Sequence, residues 1–157
     1  MSLQRLRHYL DTSGIVYDTI AHPRTMTSQE TAASAHVPGH TLAKVVMINL
    51  DHTLHMAVLP ADAMIDFDLL RQSTGATEVT LADEFEFAHA FPDCEVGAQP
   101  PFGNLYQMPV LVDSTLTLDP YIAFNEGCHT TLIRLRYCDY QRLVQPRVIQ
   151  MTHCAIA

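Results

Sequence analysis

A lone lysine stands in the apolar run 42–48 (LAKVVMI), whereas the other formal cations of this chain are all arginines. The run predicts a β-strand on which Leu42, Lys44, Val46 and Ile48 share one face. An ammonium group on such a face loses hydration energy unless an anionic or polar group pairs with it. Lys44 is therefore the first candidate for a residue that binds an anion or polarises a carbonyl. The alternative is a lysine at a sheet edge whose stem packs while its amine reaches water.

A loop with two glycines and two prolines, residues 97–104 (GAQPPFGN), is the second candidate. Pro100 and Pro101 stiffen it, and the glycines allow the backbone to approach a ligand closely. The remaining N–H groups could stabilise an oxyanion. These donors belong to Gly97, Ala98, Gln99, Phe102 and Gly103. An ordinary tight turn has the same composition, so both interpretations stay open on the loop alone.

A third candidate is His129, which lies in the loop 125–130 (NEGCHT) between two predicted strands. Such a loop could position the imidazole for a water or a substrate hydroxyl, although a lone histidine is more often structural. His52 and His55 fall on opposite faces of a strand, so we expect no metal pair there. The chain has no P-loop, no GxSxG elbow and no HExxH motif.

The four cysteines, at positions 94, 128, 138 and 154, form no CxxC pair and have irregular spacings. This pattern favours neither a zinc site nor a disulfide framework. We expect them to be small buried residues rather than nucleophiles. The sequence thus predicts a protein without a metal or another cofactor.

Composition indicates one globular domain over residues 1–157, because the chain is 48% hydrophobic and 17% charged. No apolar stretch reaches the roughly 18 residues that span a bilayer, and the N-terminus resembles a helix start rather than a signal peptide. We therefore expect a cytoplasmic protein with no membrane partner.

The formal net charge of -8 argues against DNA binding and against any broad, non-specific binding to nucleic acid. It leaves room for a small basic site that touches a few phosphates. Arg134, Arg136, Arg142 and Arg147 could supply one near the C-terminus. The plainer interpretation of these arginines is a solvated amphipathic strand and helix.

Hydrophobic periodicity predicts a mixed order of helices and short strands. A capping box at Thr27–Glu30 opens one helix, and Asp51-His52-Thr53 joins a predicted hairpin. The predicted helices are 3–10 (ended by Gly14), 27–36, 66–74, 81–90 and 139–144, and the predicted strands are 15–20, 41–50, 54–59, 94–96, 109–112, 116–118, 121–124 and 131–136. This order is typical of an α+β domain built on a mixed sheet or barrel.

Three segments in this order, Thr41–Lys44, Gly97–Gly103 and Phe124–Thr130, resemble the YbaK/prolyl-tRNA-synthetase-associated editing-domain family. The resemblance covers about residues 15–146 and leaves the tail 147–157 unassigned. It implies a mixed α/β fold with a barrel-like, mostly antiparallel sheet flanked by helices. It also implies hydrolysis of the ester between a wrong amino acid and the 3′ end of a tRNA, without a metal or a covalent nucleophile.

The resemblance implies a set of site residues. The family's lysine falls on Lys44, its substrate loop on Gly97–Gly103, and its strand-end glycine on Gly127, with His129 close by. We expect five residues to serve catalysis, namely Lys44, Gly97, Phe102, Gly103 and His129. We expect seven to bind substrate, namely Ala98, Gln99, Pro100, Pro101, Asn104, Asn125 and Gly127.

The expected activity is that of a free-standing aminoacyl-tRNA deacylase that removes a small, mischarged amino acid. Its partners would be the tRNA acceptor end and, because the chain is acidic, an aminoacyl-tRNA synthetase that supplies affinity. Two alternatives remain. One is a module that binds an aminoacyl-adenosine or nucleotide-like ligand without turnover, and the other is a hydrolase of another small ester or thioester.

Overall fold

The computed structural model describes residues 3–25 and 27–154. The helices within these ranges are α1 (Leu3–Thr12), α2 (Ser28–Ala35), α3 (Phe67–Thr74), α4 (Glu84–Phe87) and α5 (Tyr137–Val144). The strands are β1 (Asp18–Ala21), β2 (Ala43–Leu50), β3 (Thr53–Pro60), β4 (Ala63–Ile65), β5 (Val79–Leu81), β6 (Val110–Asp113), β7 (Tyr121–Asn125), β8 (Thr131–Arg136), β9 (Arg147–Ile149) and β10 (Thr152–Cys154). In this part of the chain, no helix is both long enough and apolar enough to cross a membrane.

The strands form three sheets with both pairing directions. The largest has the order β5-β2-β3-β6-β9, the second has the order β1-β8-β7, and the third pairs β10 with β4. Only the β3–β6 and β6–β9 pairs of the described sheets are parallel. The mixed, mostly antiparallel α+β fold is therefore confirmed. The barrel is not closed, because the described strands divide among three separate sheets, of which the two larger are joined by a parallel bridge between Leu42 and Ala123.

The predicted hairpin around Lys44 is confirmed. Strands β2 and β3 pair along their full length, and Lys44 lies opposite Leu59. The connecting residues Asp51 and His52 both have positive φ values, 48° and 69°. Two successive residues of this kind make the tight turn whose twist matches that of the flanking strands. The turn fixes the register and hence the face on which Lys44 lies.

Capping residues define two of the helices as predicted. The Thr27 hydroxyl accepts a hydrogen bond from the Glu30 N–H, and the Glu30 carboxylate accepts one from the Thr27 N–H. Asp66 caps the start of α3, and Gly75 ends that helix with a φ of 76°. These local bonds set where α2 begins, and its first turn borders the site described below.

Several predicted elements are wrong in type. The expected helix 81–90 begins as the end of β5, because β5 pairs with β2, and its helical part starts only after the Asp83 cap. Residues 116–118 belong to a 3₁₀ helix rather than a strand, because the Asp113 carboxylate accepts from the Thr115 N–H and folds the chain back. Residues 94–96 form turns and not a strand. The strand expected at 15–20 is displaced to Asp18–Ala21.

The C-terminal tail, which the sequence left unassigned, completes two sheets. β9 pairs in parallel with β6, and β10 pairs with β4. The buried carboxylate of Asp113 accepts a hydrogen bond from the Met151 N–H at 3.0 Å. Because these contacts join residues far apart in sequence, no local sequence pattern predicts them.

Candidate functional site

Lys44 lines a cavity of about 760 Å³ between the start of α2 and the turn that follows β3. That volume lies in the range of small-molecule sites. Ser28 and Gln29 border the cavity from the helix side, and Ala61 and Asp62 border it from the turn. The Lys44 Nζ donates to the Ala61 carbonyl at a long 3.5 Å. The ammonium group therefore faces a cavity that could hold an anionic or carbonyl group.

Burial lowers the pKa of Lys44, and the nearby Asp62 carboxylate partly opposes this shift. Desolvation disfavours the charged amine, whereas a neighbouring negative charge favours it. The residue is half-buried. A ligand that brings negative charge into the cavity would therefore stabilise the charged amine.

The single lysine makes this pKa directly measurable. After reductive ¹³C-methylation, NMR should show one lysine signal besides that of the α-amino group, with a midpoint below that of an ordinary lysine. Asp62→Asn should lower the midpoint further, because it removes the charge that opposes desolvation. A midpoint at or above the ordinary value in the wild-type protein would contradict the burial of the ammonium group.

A second cavity, of about 370 Å³, adjoins the first and contains three of the predicted site residues. Gly97, Asn125 and His129 all line it. Thr27 and Ser28 line both cavities, so the N-terminus of α2 lies where they meet. The structure thus places the lysine and the histidine in two cavities that share Thr27 and Ser28.

His129 is held from two sides. Its backbone N–H donates to a Glu95 carboxylate oxygen at 2.8 Å, and its Nε2 lies 2.7 Å from the Val96 carbonyl oxygen. Because a carbonyl only accepts, Nε2 carries the proton and Nδ1 is the acceptor of the neutral ring. Gly97 has a φ of 84°, a backbone conformation that favours glycine, and a Cβ there would be in ordinary van der Waals contact with the His129 Cε1 at 3.6 Å.

Arg24 and Glu95 form an ion pair beside this histidine. Two hydrogen bonds, of 2.7 and 3.3 Å, join the guanidinium to the carboxylate. The Arg24 hydrogen bond, with a contribution from the His129 N–H, lowers the pKa of Glu95. The carboxylate is therefore ionised at neutral pH and keeps accepting the bond that fixes the His129 backbone.

A second ion pair holds the loop 125–130 that carries His129. Glu126 is 4% exposed, and Arg7 of α1 donates to both of its carboxylate oxygens. A buried carboxylate needs such a partner, because desolvation otherwise disfavours its charge. Helix α1 therefore anchors the loop that carries His129.

We expect Arg7→Met to lower the free energy of unfolding by about 2 kcal/mol, because it leaves the Glu126 carboxylate buried without its cation. The double variant Arg7→Met/Glu126→Gln should recover part of that loss, since the unpaired charge is gone. Chemical denaturation measures both values. A loss in the double variant that equals the sum of the losses in Arg7→Met and Glu126→Gln alone would mean that the pair is not coupled.

The Gly97–Gly103 loop is divided between the cavity and the core. Phe102 is fully buried, and its ring centroid lies 5.3 Å from those of both Phe124 and Tyr140. Tyr140 also donates to the Pro101 carbonyl at 2.7 Å. A Cβ at Gly103 would lie 2.4 Å from the Met108 carbonyl oxygen. Phe102 and Gly103 therefore pack the loop into the core and line neither cavity.

The loop donors are likewise divided. The N–H groups of Ala98 and Phe102 already donate to the Glu95 and Pro100 carbonyls. Among the described residues, the N–H groups of Gly97, Gln99 and Gly103 have no protein acceptor. Of these three residues only Gly97 lines either cavity, so its N–H is the loop donor placed to bind a ligand oxygen.

The remaining predicted residues lie around this loop. Ala98, Gln99, Pro100 and Pro101 are buried, whereas Asn104 is exposed and its side-chain amide donates to the Tyr9 hydroxyl. Gly127 has a φ of 108°, and its carbonyl accepts from the Glu95 N–H. Neither Asn104 nor Gly127 lines the two cavities. Their placement favours a role in holding the loops.

The Cys94 thiol shows no sign of nucleophilic activation. Burial raises the pKa of Cys94 to about 11, so it is protonated at neutral pH. Cys138 is exposed, which differs from the expectation that the cysteines are buried. In residues 3–25 and 27–154, no group of three His, Cys, Asp or Glu side chains could hold a metal ion.

Sequence reasoning missed the residues that orient the others. Arg24 and Glu95 are 71 positions apart, and Arg7 and Glu126 are 119 apart. No spacing rule connects such pairs. The capping box at Thr27 was visible, but only as the start of a helix. The one local signal for these orienting residues was Glu126, a charged residue within the segment 125–130 that was expected to lie near the site.

Comparison with known proteins identifies the family of this chain. Residues 22–143 match the family model described as "Aminoacyl-tRNA editing domain". The Escherichia coli (strain K12) protein named "Multifunctional Ser/Thr-tRNA deacylase ProXp-y" is 30% identical over 102 residues, or 64% of this chain. The chain spans 60% of the length of that relative.

Two solved structures share the fold. One bears the description "Crystal structure of a putative trans-editing enzyme for prolyl tRNA synthetase", with a TM-score of 0.82 at 18% identity and 97% coverage of both chains. The other, of "hypothetical protein APE2540", also has a TM-score of 0.82 at 18% identity, with 94% of this chain and 99% of the other covered. The resemblance drawn from three sequence segments is confirmed, and this chain belongs to the aminoacyl-tRNA editing domain family.

Proposed function

We propose that this protein is an aminoacyl-tRNA deacylase, a hydrolase that removes a small, mischarged amino acid from the 3′ end of a tRNA. The observation that carries the proposal is the position of Lys44 in a cavity that adjoins the one lined by Gly97 and His129, within an editing-family domain. We also infer that residues 1–157 act as one editing domain.

The reaction adds water to the ester carbonyl and then breaks the bond to the ribose oxygen. The intermediate carries an oxyanion, which fixed N–H donors and a nearby cation stabilise. The free N–H group of Gly97, which lines the second cavity, suits the first role. The proton from water goes finally to the ribose oxygen, and the products are a free amino acid and a tRNA with a free hydroxyl.

Lys44 supplies positive charge where the substrate binds. The N-terminus of α2 borders the same cavity and adds the partial positive charge of the helix dipole. Both suit a ribose-phosphate end or a polarised carbonyl. His129 contributes an Nδ1 acceptor for a water or a ribose hydroxyl, while Asn125 lines the same wall.

Serine and threonine esters are the first substrates to test, because the Escherichia coli relative is named a Ser/Thr-tRNA deacylase. A synthetase gains only about 1–3 kcal/mol from one methylene, so small amino acids are the ones it mischarges. A second, small site then removes the error.

We expect the tRNA acceptor end to be the main partner, in the cytoplasm. An aminoacyl-tRNA synthetase is a fitting second partner, because a net charge of -8 weakens any broad attraction to tRNA.

The experiment is a panel of tRNAs charged with alanine, serine, cysteine or threonine, incubated with the purified protein. Ester loss above buffer for at least one supports the deacylase. Tight binding with the ester intact would indicate the non-catalytic module instead. Activity on free esters or thioesters that no acceptor end enhances would indicate the other hydrolase.

A further inference from the structure

Three of the arginines gather on one face around a cavity of about 390 Å³. Arg134 and Arg136 lie two residues apart on β8 and thus on one side of the strand, and Arg142 comes from α5. Their side chains are 48%, 60% and 63% exposed. Arg147, the fourth arginine of the C-terminal segment, lies elsewhere and donates to the Ser73 carbonyl. In an acidic protein, this arginine face is a local concentration of positive charge.

The acids beside the arginine face do not cancel it. Asp18 pairs with Arg134 at 3.0 Å, and Asp139 is shared by Arg136 and Arg142 at 3.2 and 3.3 Å. Three guanidinium groups therefore meet two carboxylates. Since each guanidinium has five N–H donors, most donors remain open to further acceptors. Phosphate oxygens fit such donors in pairs.

An exposed aromatic ring lies beside these cations. Tyr121 is 48% exposed, and the Arg134 guanidinium carbon lies 5.7 Å from its ring centroid. Aromatic rings among arginines bind unpaired nucleic acid, because bases stack on the ring while the cations bind the backbone.

The arginine face is connected to the Lys44 cavity along the surface. Arg134 and Tyr121 also line a neighbouring cavity of about 240 Å³, to which Val37 contributes a wall. Val37 in turn lines the Lys44 cavity. Arg134 and Tyr121 thus join the arginine face to the neighbouring cavity, and Val37 joins that cavity to the Lys44 cavity. Asp119 also lines the neighbouring cavity, and one of its carboxylate oxygens lies 3.7 Å from the His40 Nε2.

We propose that Arg134, Arg136, Arg142 and Tyr121 bind the unpaired strand of tRNA that leads to the aminoacylated end, with the cations on phosphates and the tyrosine under a base. This inference rests on the proposed function. It explains how an acidic chain can bind tRNA, since a few contacts on one face replace broad attraction.

The test measures binding of uncharged tRNA by fluorescence anisotropy at several salt concentrations, in wild type and variants. Arg134→Gln and Arg142→Gln should each weaken binding several-fold and reduce the slope of log K against log salt by about 0.7. Tyr121→Ala should weaken binding about fivefold or more, and Tyr121→Phe should not. Arg147→Gln is the matched control, with the same loss of charge on a different surface.

Hydrolysis of a small aminoacyl-adenosine ester separates this surface from the chemistry. The arginine and tyrosine variants should hydrolyse it as the wild type does, because it lacks the strand. Variants at positions 134 and 142 that bind tRNA like the Arg147→Gln control would overturn the inference, as would a wild type that binds no tRNA. A wild type that binds tRNA but hydrolyses no ester would overturn the deacylase alone.

Discussion

Replacement of Lys44 by methionine is expected to lower kcat/KM for deacylation at least about a hundredfold, the usual scale for removing one charge-stabilising donor. Methionine keeps the length of the side chain and removes only the ammonium group. Because burial disfavours that charge, the variant should melt at the wild-type temperature or above it. Lys44→Arg should recover little activity, since a planar guanidinium does not reproduce a compact ammonium in a half-buried position.

The comparison needs two readouts. Deacylation of the best tRNA from the panel gives kcat/KM, and thermal unfolding shows whether the fold persists. Full activity in Lys44→Met would show that the ammonium group has no part in the mechanism. A loss of activity accompanied by a loss of folded protein would assign Lys44 a structural role.

Replacement of Phe102 by alanine is expected to lower the free energy of unfolding by about 3–5 kcal/mol, because the ring is fully buried among aromatic neighbours. For a chain of this size the melting temperature should fall by about 10 °C or more. Phe85→Ala is the control, since that ring is 94% exposed and its loss should leave stability unchanged.

The same position tests whether Phe102 has a part in chemistry. Phe102→Leu keeps most of the apolar volume and should fold, with activity close to that of wild type at temperatures below its melting point. A folded Phe102→Leu protein without activity would support the expectation that the residue is catalytic.

Local patterns explain why the Lys44 strand could be predicted. Alternation of apolar residues, a two-residue turn and a capping box are all encoded within a few positions, and the hairpin and α2 follow from them. The Gly97–Gly103 loop shows the limit of such patterns. Its composition does not reveal that Gly97 borders a cavity while Phe102 enters the core, because tertiary packing decides this.

The rest of the site depends on contacts between distant residues. Arg24 orients Glu95, Glu95 holds His129, and Arg7 holds Glu126. The tail strands β9 and β10 could not be predicted from local patterns either, because they pair with β6 and β4, which lie far back in the chain. Short strands of three residues carry too little periodicity to be recognised alone.

The most direct test of the central claim is a time course of ester loss from Ser-tRNA and Thr-tRNA with the protein well below the substrate concentration. If the protein is a deacylase that depends on Lys44, we expect the wild type to release more than one equivalent of amino acid per protein molecule. The Lys44→Met variant should release amino acid only at the buffer rate. Mischarged tRNA that binds the wild-type protein and keeps its ester throughout would contradict the account.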